Sequence, residues 1–155
     1  MTIGHPALLV LGLFAVARIA EACTCVTGDP HDENKVFRES RQRAVLVFAG
    51  KVVALQTSEE GSYLGANVRM NHTVATFTAY RVWKGPKAET VQVHFRSSPQ
   101  SALCEYPFVP DTEYLVFAYG DEPSASACDF TMPLADQKAA SVEGRLGKAS
   151  WKRAP

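Results

Sequence analysis

The chain has no net charge to offer a partner. Its 155 residues carry 16 Lys and Arg against 16 Asp and Glu, so no field favours nucleic acid or an anionic membrane. The apolar run at residues 7–17 (ALLVLGLFAVA) is eleven residues long, short of the roughly 20 a helix needs to cross a bilayer. Internal repeats, low-complexity tracts and linkers are missing, so nothing divides the chain, and no glycine loop suited to phosphate appears. Cysteine is scarce, four residues in all, and none are spaced C-x-x-C, which removes the paired knuckles of structural zinc sites. What remains is 46% hydrophobic and 21% charged residues, the composition of one globular domain with enough apolar side chains for a core.

Residues 7–17 have the length of a signal-peptide h-region, and Ala20-Glu21-Ala22 supplies small residues three and one before a cut. Residues 1–22 are therefore expected to be a leader cleaved before Cys23, leaving a secreted or periplasmic protein. Two features depart from the pattern: the first six residues hold no Lys or Arg, and Arg18 interrupts the apolar end. A lipid-bearing Cys23 is the alternative; Ala20 argues against it, since lipoprotein signals carry a bulky aliphatic residue there, and so does Glu21. Cleavage removes one base, Arg18, and one acid, Glu21, so the net charge stays at zero. Cysteines 23, 25, 104 and 128 all fall in the mature part. An even number in an exported chain makes disulfides the default, with three possible pairings.

Asp32 and Glu33 read as a helix start, and a short helix is expected over 33–43. Val36 and Phe37 are its buried residues, and Arg38, Glu39, Arg41, Gln42 and Arg43 its solvated face. Residues 44–55 (AVLVFAGKVVAL) read as a long strand that coils or bulges at Gly50. Residues 56–67 are polar and read as a loop. Asn71-His72-Thr73 matches the glycosylation sequon, to which no function is attached. Further strands are expected at 74–83, 90–95, 113–119 and near 128–132, with a helix within 134–146 and a frayed tail at 148–155. On the third strand His94 faces outward, with no acid or second His at metal-ligand spacing beside it. Five strands at fairly even spacing predict a mainly β fold, a small closed or partly closed five-stranded Greek-key barrel of the oligonucleotide/oligosaccharide-binding type with flanking helices, or a sandwich.

Taken together, the mature Cys23-Thr24-Cys25 terminus, the 44–55 strand, TFTAYRVWKG at 76–85, Leu103-Cys104, EYLVFA at 113–118 and Cys128 resemble the amino-terminal, netrin-like domain of the tissue inhibitors of metalloproteinases. The resemblance spans residues 23–132. Its most specific part is the Cys-x-Cys terminus combined with Val82-Trp83-Lys84-Gly85 ahead of two further Cys. It implies disulfides Cys23–Cys104 and Cys25–Cys128, which would staple the amino terminus to the barrel and close loops of roughly 80 and 100 residues, each worth on the order of 4 kcal/mol. The third disulfide of the animal inhibitors has no counterpart, and only 27 residues follow Cys128, so the chain resembles a minimal, bacterial-type member with one domain at 23–147.

The function this implies is inhibition, without catalysis and without a cofactor of the chain's own. The zinc belongs to the target, a metalloprotease whose open coordination position holds the water it activates. The α-amine and carbonyl oxygen of Cys23 would displace that water in a five-membered chelate. The amine binds only when neutral, and its ordinary pKa of about 7.7–8.0 predicts weaker inhibition as pH falls. Thr24 would enter the pocket for the residue after the scissile bond, Cys25 and Val26 would continue along the cleft, and Ser101, Ala102 and Leu103 would form the adjoining ridge, with a secondary contact from the 56–67 loop. The protein is expected to act as a monomer on zinc metalloproteases, with no nucleic-acid partner and no membrane insertion once cleaved. Two bland readings weigh less: a structural zinc site built on the four Cys, and a Cys–His catalytic pair. The main rival is a netrin-like binding module in which Cys23 is only an anchor.

Overall fold

The computed structural model describes Cys25 and residues 32–60, 70–97 and 104–153. Helix α1 (Glu33–Arg43) starts where its cap dictates: Asp32 accepts a hydrogen bond from the Lys35 amide at 2.8 Å, and Glu33 sits at the positive end of the dipole with Arg41 and Arg43 at the negative end. Phe37 is buried. Val36 is only half-buried, because the second inward position falls on Ser40, one turn further along the Phe37 face.

Six antiparallel strands follow the helix in a single sheet: β1 (Leu46–Glu60), β2 (Met70–Lys84), β3 (Thr90–Ser97), β4 (Glu113–Ala118), β5 (Met132–Pro133) and, after helix α2 (Ala139–Leu146), β6 (Trp151–Lys152). Their order is β3-β2-β1-β4-β5, and β6 pairs with Arg81 and Val82 of β2 on the edge that β3 leaves beyond Thr78. The period of two along each strand sorts side chains into two cores. Phe48, Val52, Phe77, Val93, Tyr114 and Val116 fill one; Val47, Leu115 and Phe117 face the other, which α1 and α2 cover with Phe37, Val142 and Leu146. Both faces of β4 are thus buried, which is why EYLVFA reads as an almost unbroken apolar run.

Gly50 lies at a shift in the β1–β2 register, as its place in the sequence suggests. A Cβ there would stand 2.6 Å from the Thr78 carbonyl oxygen, so only glycine lets the two strands approach this closely. The end of β2 holds both helices. The Trp83 indole N–H donates to the Gly147 carbonyl at 2.8 Å, at the end of α2, and Lys84 Nζ donates to the Arg41 and Gln42 carbonyls at 3.1 and 2.7 Å, at the end of α1.

Four expectations are corrected. Residues 56–60 are strand rather than loop: they pair with residues 70–74, and the Thr57 and Thr73 hydroxyls lie 3.0 Å apart across the ladder. The tail does not fray through Arg153, because Trp151 packs against the inner core while the Ser150 and Arg153 amides donate to the Val82 and Tyr80 carbonyls. Residues 134–138 form turns, and α2 begins at Ala139. Among the described residues there are six strands rather than five, and the sheet is not closed: β4 has six residues and β5 two, too few to ladder along β3, which the described segment after β4 meets at a His94↔Ser124 bridge.

Candidate functional site

The edge that carries Cys25 is built from the segments around three cysteines. Cys25 and Cys128 form a disulfide across 103 residues, with their Cα atoms 5.2 Å apart. Residues 104–106 and 125–127 run antiparallel beside it, the Tyr106 amide donating to the Ala125 carbonyl and the Ala127 amide to the Cys104 carbonyl, both at 2.8 Å. The Cys128 amide donates to Ser126 Oγ at 3.0 Å. Next to Cys104, Glu105 accepts from the Arg96 amide, and the Arg96 guanidinium reaches both Glu105 and, at 3.1 Å, Glu60. Arg96 therefore ties the Cys104 segment to β3 and β1.

Of the residues the sequence nominates for this edge, Cys25, Cys104 and Cys128 are brought to it. Cys23, Thr24, Val26, Ser101, Ala102 and Leu103 lie outside the described residues. Cys104 is an exposed free thiol among the described residues, and the Cys23 that the resemblance pairs with it is not among them.

The loop carrying Cys128 is anchored on α1 by partly buried polar groups. Ser40 Oγ donates to the Asp129 carboxylate at 3.4 Å, and burial raises the Asp129 pKa above the ordinary carboxylate value, with the Tyr119 hydroxyl, the Arg43 charge and Ser40 opposing the rise. Burial, followed by the nearby Asp129 charge, pushes the Tyr119 phenol far up, so it stays neutral through the physiological range. The Arg43 guanidinium lies 5.8 Å from the Tyr119 ring centroid. Two shallow grooves open elsewhere, one between α1 and the end of β2, the other along residues 90–92 and 120–123, and neither contains a nominated site residue.

A second cluster escaped the sequence reading. His94 does face a second His and an acid: His72 Nε2 lies 3.0 Å from His94 Nδ1, and ligand atoms of His72, His94 and Glu122 all fall within 4.8 Å of one another. His72 is 22 residues from His94 in sequence, and the two meet only because β2 and β3 pair with Val74 opposite His94 and His72 opposite Arg96. The same pairing makes the 71–73 sequon part of a strand, with Thr73 buried.

No protein-family model matches the chain, and no curated protein matches it significantly. A family assignment therefore rests on the residues themselves.

Proposed function

We propose that the mature chain begins at Cys23 and inhibits zinc metalloendopeptidases, with the Cys23 amine and carbonyl taking the place of the zinc-bound water. The observation that carries this reading is the Cys25–Cys128 disulfide, which fixes a residue two positions from the proposed terminus to the body of the fold. A terminus that would otherwise fray becomes a rigid edge with little entropy left to lose on binding. Because the Cys104 carbonyl bonds to the residue before Cys128, Cys104 lies within reach of a chain only two residues upstream of Cys25, and oxidation with Cys23 would add a second staple. Thr24, Cys25 and Val26 then enter the protease cleft, with Ser101, Ala102 and Leu103 beside them. The disulfide also suits an exported protein. Among the described residues no helix is long and apolar enough to cross a membrane. The open sheet is read as a partly closed form of the five-stranded oligonucleotide/oligosaccharide-binding barrel of the netrin-like domains.

The second reading is the netrin-like binding module, in which Cys23 is only an anchor and the Cys25–Cys128 disulfide is purely structural. One experiment separates the two. The secreted protein starting at Cys23 should inhibit a panel of zinc proteases, while a form with one additional amino-terminal Ala should lose inhibition by orders of magnitude and keep its fold. Equal inhibition by the two forms overturns the chelation reading, and inhibition by neither leaves the module.

A further inference from the structure

His72, His94 and Glu122 come from three separate segments. His72 lies on β2 and His94 diagonally across the ladder on β3. Glu122 belongs to the turn after β4, which is held against β3 by backbone bonds: the His94 amide donates to the Pro123 carbonyl at 2.7 Å, and Tyr119 and Ser124 exchange amide–carbonyl bonds at 2.9 Å. The three ligand atoms are thus set on ordered backbone, the condition for a site needing little rearrangement.

The imidazole geometry is that of a closed proton bridge. Ring planes tilted by 19° with centroids 5.1 Å apart and facing nitrogens at 3.0 Å put one N–H on the line between two nitrogens. Two imidazoles on a tetrahedral zinc, with Zn–N bonds of ~2.0–2.1 Å, hold their nitrogens ~3.3 Å apart. Small ring rotations would therefore let a cation replace the bridging proton, which moves to the far nitrogen of its ring or to solvent. Behind His72, Glu60 Oε1 lies 3.8 Å from the other ring nitrogen, Nδ1, beyond hydrogen-bond distance, so it contributes negative charge beside the ring and no directed bond. Arg96, directly opposite His72, is already paired with Glu60 and Glu105.

We infer that His72, His94 and Glu122 form a binding site for a divalent transition-metal ion of the zinc class. Two borderline imidazoles beside one hard carboxylate suit Zn²⁺ and Co²⁺ over Mg²⁺ or Ca²⁺, which prefer all-oxygen sites, and three protein ligands leave a coordination position for water. The site is separate from the terminal chelate, which would act on a metal held by another protein.

Titrating the mature protein with Co²⁺ tests the site, because the visible d–d bands report nitrogen and oxygen ligation directly. One equivalent should bind. His72→Asn and His94→Asn should abolish the bands, Glu122→Gln on its exposed turn should weaken binding at least tenfold with the fold unchanged, and Cys104→Ser should bind as the parent does. Should the histidine variants misfold, the Glu122→Gln titration decides alone. The inference is overturned if Glu122→Gln binds like the parent, or if binding survives both histidine changes or vanishes with Cys104→Ser, since the ion would then sit on the terminus or the thiol. Protease inhibition is not read in this experiment, so its outcome leaves the inhibitor proposal to its own test.

Discussion

Asp129 follows Cys128 directly, and its carboxyl is where pH acts on this edge. Burial raises its pKa in the folded protein, so the native state binds the proton more tightly than the unfolded chain, whose Asp titrates near pH 3.9. A raised carboxyl stabilises the fold fully below the unfolded value, and that contribution is lost as pH rises through the folded value. Asp129→Asn keeps the shape and the Ser40 contact but cannot ionise. Urea unfolding of the two proteins at about pH 4 and pH 7 should therefore show the variant gaining on the parent as pH rises. A stability difference that does not change with pH would mean that the Asp129 carboxylate is fully solvated or compensated in the native protein. Tyr119 and Ser40 share this pocket, so polar contacts seat the loop bearing Cys128 on α1, while its disulfide ties it to Cys25.

At the scale of elements, the strands with alternating apolar residues were legible, and the polar ones were not. The 44–55 strand announced itself by β-branched residues, and Gly50 by its interruption of them. Residues 56–60 (QTSEE) have no apolar alternation, and they extend β1 because Met70, Asn71, His72, Thr73 and Val74 complete the ladder opposite; a pairing partner is not encoded in the segment itself. The His72–His94 meeting was hidden for the same reason, since it follows from a register that sets Thr78 against Thr90. The Trp83-Lys84 pair belongs to the resemblance read in the sequence, and its physical role in the structure is the capping of both helices. Gly50 gives the sharpest test at this scale. In an ordinary strand, Gly→Ala stabilises by about 0.5–1 kcal/mol. Here the added Cβ meets two backbone atoms, the Thr78 oxygen at 2.6 Å and the Ala79 Cα at 3.0 Å, which cannot rotate away. Gly50→Ala should instead destabilise by about 1–3 kcal/mol in denaturant unfolding, and a neutral or positive effect would show that β1 and β2 can separate at the bulge.

The described residues form two cores on opposite faces of one open sheet, and the disulfide fastens the chain at Cys25 to it. The inner core packs Phe48, Phe77, Phe108 and Tyr114 edge to face, and Arg145 fastens α2 to α1 by lying 4.1 Å over the Phe37 ring while donating to Glu33 at 2.9 Å. Neither core includes Cys25. The Cys25–Cys128 bond therefore acts chiefly by limiting the unfolded chain and by placing the terminus, and removing it should separate those effects from folding itself. In the double variant Cys25→Ser, Cys128→Ser the sheet and both helices should persist with a native aromatic circular-dichroism signal. Unfolding stability should drop by up to about 4.7 kcal/mol, the chain-entropy value for a loop of about 100 residues. If the proposed inhibitory function holds, inhibition of a zinc protease should fall much further than stability, because the proposed terminus must then be ordered during binding. Loss of inhibition in a protein that is still folded at the assay temperature places the function in the stapled edge; undiminished inhibition would move it to another surface.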